Sequence, residues 1–365
     1  MGINNLLSTA LINLKSRKIK DKILIIESDD WGAIRMPNVS TYFALLNKGI
    51  PVDKSLYCKY DTLESNKDVE DLIDVLLSVK NANGEHPVFT ANFVSANPDF
   101  DKIRQDKFNN YYFEPITETY KKYNSSDRVI DIVLSSNLFK PQFHGREHVN
   151  VPLWMELLKT NMQYRFAFDY NLWGLSNDVF PLMKKSVQAT YDNNDYYYCR
   201  ESIIEGLNLF EKIFGFKSNT FISNNFIWSN ELENVLYENG VSYLQGMKYQ
   251  LLPLNDKESK RKKIRHYLGE KNQKNQYYGV RNCSFEPILF NDTVESVMHQ
   301  ISLAFLFKKP AIISTHRINF VSGLSAKNSE HNLKLFKELL NRIVKKWPDA
   351  IFLSSDKLYK IFEND

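Results

Sequence analysis

Two carboxylates stand side by side at Asp29 and Asp30, where the apolar run Ile23–Ile26 continues into Glu27-Ser28-Asp29-Asp30-Trp31-Gly32. Adjacent acids repel each other. At the end of a strand-like run they point to a metal ion or a proton-transfer task, although Asp also caps helices and opens turns. A second such string lies mid-chain, where Lys140-Pro141-Gln142-Phe143 leads into His144-Gly145-Arg146-Glu147-His148. On a helical turn, imidazoles at i and i+4 share one face and can bind one cation; a pair of hydrogen-bonded loop histidines is the competing account. The third feature is His316, which closes the apolar run Ala311–Thr315. His86, His266, His299 and His331 sit in loop-like or helix-like contexts instead. Three histidines and an acid pair, all just beyond strand-like runs, converge on one metal-assisted site.

The elements that must deliver these groups read as βα units. Eight short runs are strand-like: Lys22–Glu27, Val88–Phe93, Lys140–Phe143, Arg165–Tyr170, Thr220–Ser223, Ser242–Gln245, Ala311–Thr315 and Ile351–Ser354. Amphipathic stretches separate most of them, which predicts an α/β fold with a largely parallel sheet. Glu201–Phe214 carries a broad apolar stripe and stops at Gly215; His331–Lys346 does the same before Trp347-Pro348. In a parallel barrel the C-terminal strand ends share one mouth, so the three features would meet there. Two stretches break the rhythm, about 36–87 and 255–278, and read as inserted loops on a barrel domain spanning 21–365. Residues 1–20 read as a separate N-terminal helical segment.

Composition narrows the function classes. The 365 residues are 43% apolar, enough for a large core, and a net charge of +4 on a chain this long gives no basis for a nucleic-acid partner. Cys58, Cys199 and Cys283 are odd in number and far apart, which argues against a disulfide framework or a cysteine zinc site. The apolar stretch Leu6–Leu14 precedes its basic residues rather than following them, the wrong order for an export signal, so a cytoplasmic location is expected. Lys15, Arg17, Lys18 and Lys20 could hold this segment against the inner membrane face, with a helix packed on the barrel as the plainer alternative. The basic run Lys257–Arg265 reads as a solvated face or as a grip on an anionic glycan or carrier.

The motifs resemble those of the nodulation-protein-B-like polysaccharide deacetylases, carbohydrate esterase family four, which share a distorted (β/α)7 barrel. Glu27–Gly32 is similar to the family's Thr-Phe-Asp-Asp-Gly with a Trp inserted; His144–His148 is similar to His-Ser/Thr-x-x-His; Ile313–His316 is similar to Leu-x-x-His. The resemblance implies a divalent metal, foremost Zn2+, on Asp30, His144 and His148, with Asp29 as base and His316 as acid. The family's Arg-x-Pro-Tyr motif has no counterpart in Phe221–Trp228, and its Asp- and Trp-bearing fourth motif none near Ser242–Gln250. Arg281 or Arg317 would then stand beside the base or the substrate. Trp31, Trp173 and Trp228 are candidates for stacking on sugar rings or for the core. The implied activity is removal of acetyl groups from N-acetylated amino sugars of a glycan or glycan precursor. The alternatives are a carbohydrate-binding barrel without catalysis and another metal-assisted hydrolase.

Overall fold

The computed structural model describes residues 15–364 except 124, 176–177, 181–182 and 256–259, so most of the expected N-terminal helix lies outside the described residues. One parallel sheet organises the chain: β1 (Ile23–Trp31), β2 (Phe89–Phe93), β3 (Phe139–Phe143), β4 (Thr220–Ile222), β5 (Tyr243–Gln245), β6 (Tyr277–Tyr278), β7 (Cys283–Ser284), β8 (Ala311–His316) and β9 (Ile351–Leu353). Their order is β6-β5-β4-β3-β2-β1-β8-β7. The nine-residue β1 pairs with β8 along one edge; on the other it pairs with β9 at Ile23–Ile25 and with β2 from Ile26 onward.

The sheet curls until its two ends meet. Gly279 N and Arg281 N donate to Leu244 O and Gly246 O beside β5, and then Asn282 N and Phe285 N donate to Ile312 O and Ser314 O on β8. The residues between β6 and β7 thus form the seam, and Gly279 is required there because an added Cβ would lie 2.3 Å from the Tyr243 hydroxyl. The result is a distorted (β/α)7-type barrel with inserted segments. Alternation along β1 sorts its side chains: Leu24 and Ile26 join the core between sheet and helices, while Ile23 and Ile25 join an inner cluster with Tyr243, Tyr277, Ile312 and Phe362.

The helix Tyr196–Phe214 is capped by the Asp195 side chain and ended by Gly215 at φ 78°, burying Cys199, Ile203, Leu207, Phe210 and Phe214 at helical spacing. Arg165–Tyr170, expected as a strand, belongs to the helix Met162–Asp169. Phe166, Phe168 and Tyr170 alternate as a strand would, but Tyr164, Ala167 and Phe168 are the buried residues, at the i, i+3, i+4 spacing of a helix face. The stretch 36–87 contains the helices Val39–Asn47, Leu56–Tyr60 and Asn66–Leu77. The stretch 255–278 supplies β6 and the strand Lys263–Arg265, which pairs antiparallel with Tyr249–Leu251. A second apolar cluster, including Leu45, Val52, Cys58, Phe100, Trp154, Phe168 and Trp173, packs the first inserted segment against the helices Phe100–Gln105, Val151–Thr160 and Met162–Asp169. Among the described residues no helix is long and apolar enough to cross a membrane.

Candidate active site

Regular alternation would send the side chains of Asp29 and Asp30 to opposite faces of β1. The pairing register slips between Ser28 and Trp31, and Asp30 adopts φ 77°, a left-handed conformation that costs a non-glycine residue roughly 1–3 kcal/mol. Both carboxylates therefore line the same cleft, and Trp31 turns outward into the core against Phe89, Phe93 and Phe139. The cleft measures about 510 Å³ and is lined also by Arg35, Tyr57, His144, His148 and His316.

Asp30 Oδ1 lies 3.0 Å from His148 Nε2 and 3.3 Å from His144 Nε2, and ligand atoms of all three residues fall within 4.8 Å of one another. Each side chain is almost completely buried. The imidazoles are not brought together by a helical turn: His144–His148 is irregular backbone, reversed at Gly145 with φ 100°. His144 Nδ1 lies 3.0 Å from Ile222 O, a group that only accepts, so Nδ1 is the donor there and Nε2 is the nitrogen that faces Asp30. Burial, aided by the Arg35 charge, pushes His148 down to about 4, leaving that ring neutral near pH 7.

Two imidazole nitrogens converging on a carboxylate oxygen are a donor set suited to a divalent cation. Bonds of about 2.0–2.1 Å in a tetrahedron set ligand atoms about 3.3 Å apart, close to the two separations seen here. The Asp30 carboxyl is held well below the usual range: burial opposes its charge, but the groups facing it, the Arg35 guanidinium foremost, outweigh burial. Arg35 Nη2 bonds Asp30 Oδ2 at 3.1 Å, leaving Oδ1 to face the imidazoles. Arg35 is itself set between the rings of Tyr57 and Trp173, and its Nε pairs with Asp61 at 3.3 Å.

Asp29 is gripped differently. Arg281 Nη1 and Nη2 donate to its two oxygens at 2.6 and 2.7 Å, and Asn92 Nδ2 donates at 2.8 Å. Burial resists this charge, yet the Arg281 guanidinium prevails and holds the carboxyl down at about 2. Across the cleft His316 Nε2 is 3.8 Å from Asp29 Oδ2, and its Nδ1 is 2.5 Å from Glu286 Oε1. Burial disfavours the imidazolium, but the Glu286 carboxylate raises His316 to about 9. The cleft therefore presents an ionised acid, a protonated imidazole and a potential cation site within one enclosure.

Five of the sequence-predicted residues meet here: Asp29, Asp30, His144, His148 and His316. Arg281 reaches the site from behind, fully buried against Asp29 and Glu27, rather than facing a substrate. Arg317 lies outside the cleft, bonded to Asp61, Glu64 and the Ala33 carbonyl. Trp31 and Trp228 are buried, the latter bonded to Glu233; Trp173 is buried too but stacks on His148 at 5.8 Å. Sequence reasoning missed Arg35, which sits in an irregular connection with no local pattern. It also missed Glu286, which follows the two-residue strand β7, too short to leave a local signal.

No family model matches the chain, and no curated protein does. Solved structures do resemble it, and polysaccharide deacetylases recur among them. A probable polysaccharide deacetylase from Pseudomonas aeruginosa is 9% identical with a TM-score of 0.45, the match covering 94% of this chain and 91% of that one. Puue allantoinase is 8% identical with a TM-score of 0.45, covering 94% and 90%. A 4-alpha-glucanotransferase from Thermococcus litoralis is 10% identical with a TM-score of 0.46, covering 94% of this chain, which spans only 40% of the glucanotransferase.

Proposed function

We propose that the protein is a metal-dependent hydrolase that removes acetyl groups from N-acetylated amino sugars of a glycan or glycan precursor. The observation that carries this reading is the convergence of Asp30, His144 and His148 within 4.8 Å, with Asp29 next in sequence and His316 3.8 Å from Asp29. Asp30, His144 and His148 would hold the cation, and their mixed carboxylate and imidazole donors favour Zn2+. A bound cation of this kind supplies Lewis acidity, polarising an acyl oxygen and acidifying a water. Asp29, kept ionised by Arg281, accepts the proton of the attacking water. His316, kept protonated by Glu286, delivers a proton to the amine as the C–N bond of the tetrahedral adduct breaks, so acetate and a free amino sugar leave. Arg281 and Glu286 act as positioning residues, each fixing the charge state of the group it touches.

Acetate release from N-acetylated amino-sugar oligosaccharides, measured with and without a chelator, tests the reading. Release should cease on chelation and return with added Zn2+. Release indifferent to chelator would remove the metal from the scheme. A metal-loaded protein that binds such sugars but frees no acetate would be a carbohydrate-binding barrel.

A further inference from the structure

The hydrolytic cleft does not end at the hydrolytic groups. A second chamber of about 350 Å³ shares Tyr57, Asp178, Gln188 and Asn225 with it, and both volumes fall in the roughly 300–1,000 Å³ range of ordinary ligand pockets. The two chambers differ in their charged linings. The first holds Asp29 and Asp30 together with Arg35 and His316, whereas the second opens onto Lys184 and Arg261, with Asp178 shared between them. Lys184 is exposed and has no carboxylate partner among the described residues. Arg261 is held by the fully buried Asp192 in a bidentate pair, Nη1 on Oδ1 and Nη2 on Oδ2, so the guanidinium stands between that acid and the chamber and only its outer edge is offered to a ligand. Leu251, which also lines the chamber, lies on the hairpin whose other strand exposes Lys263 and Arg265. Solvation alone would explain an exposed basic strand. It does not explain two cations opening into a cavity continuous with the proposed catalytic groups.

We propose that this second chamber is a subsite for an anionic substituent, a carboxylate or phosphate, and that the glycan acted on is therefore an acidic one. The inference rests on the deacetylase reading for its substrate but on separate residues for its binding. Lys184 and Arg261 would pair with the anion while Gln188 and Asn225, amides in the shared wall, meet sugar hydroxyls.

The test is equilibrium binding to the full-length Asp29→Asn variant, which should hold substrate without turning it over. The probes are a uronic-acid-containing N-acetylated oligosaccharide, a phosphate-bearing one and a neutral N-acetylglucosamine oligomer. An acidic probe should bind about tenfold tighter than the neutral one, the effect of one charge-assisted hydrogen bond. Whichever acid binds tighter identifies the anion. The ratio should collapse in Lys184→Glu, survive in Lys184→Arg and shrink as salt is raised. Should Lys184→Glu not fold, the salt dependence of the ratio still decides. Equal affinity for acidic and neutral probes, or a ratio unmoved by both Lys184→Glu and salt, overturns the subsite. Acetate release alongside equal affinities would sink this inference and leave the deacetylase reading standing; preferential acidic binding with no acetate from any substrate would do the reverse.

Discussion

On one side of the cleft, every nitrogen of the Arg281 guanidinium has a partner: Nε donates to Glu27, Nη1 to Asp29 and Ser314, Nη2 to Asp29 and Gln245. On the other side, around Asp30, the partners are fewer. Arg35 Nη1, His148 Nδ1 and Trp173 Nε1 are all buried without a hydrogen-bond partner among the described residues. An unsatisfied buried donor costs roughly 1–3 kcal/mol, so the Asp30 side is the more strained of two neighbouring regions anchored one residue apart. The contrast fits a division of labour: a rigid, fully compensated base on one side, and on the other a set of groups whose charges are balanced only in part by the protein.

That comparison can be broken by exchanging each acid for its amide. Asp29→Asn should lower kcat by about 10²–10⁴-fold while cation affinity stays near wild type, because only the proton acceptor is lost. Asp30→Asn should lose cation binding itself, read by titration calorimetry with Zn2+. If both variants lose cation binding equally, the two sides are not distinct.

The next effect is on stability. Arg281→Met leaves Glu27 and Asp29 buried without their cation and should destabilise the fold by about 3–5 kcal/mol in denaturant titration. Arg35→Met is expected to be milder for folding, since Asp61 keeps Arg317 and Asp30 keeps two imidazoles. Its signature should be a change in cation affinity of about 10–100-fold, measured by calorimetry, because Arg35 orients a ligand rather than serving as one. Equal loss of stability in the two variants would erase the distinction.

The smallest effect lies in the pH profile. His148 must be neutral to hold a cation and, at about 4, is neutral above that pH. His316 must be protonated to act as an acid and, at about 9, is protonated below that pH. The profile of kcat/KM should therefore fall as pH drops through about 4 and fall again as pH rises through about 9. His316→Gln should lower the plateau and abolish the alkaline limb; an alkaline limb that survives the substitution belongs to another group.

Much of this was legible in the residues. Strands β1 and β8 announce themselves as apolar runs that end on Asp29-Asp30 and His316, because a buried parallel strand needs a continuous apolar stretch and its C-terminal end faces the mouth; β3, with Lys140 and Gln142 between Phe139 and Phe143, carries a weaker signal ahead of His144. The strand expected at Arg165–Tyr170 failed because alternating aromatics also suit a helix whose buried face is set by distant partners. Strands β6 and β7 were missed because two residues carry no period; only the barrel seam makes them strands.

The sequence by itself determined which groups could do chemistry and that βα units would bring them to one end of a barrel, since side-chain type and local period are written residue by residue. Tertiary structure alone decided that Arg281, 252 residues away, clamps Asp29, that Arg35 claims the second oxygen of Asp30, and that Trp31 and Arg317 serve the core rather than the cleft. Charge compensation in a buried site depends on distance through space, and no local pattern in a chain encodes which remote segment will supply the opposite charge.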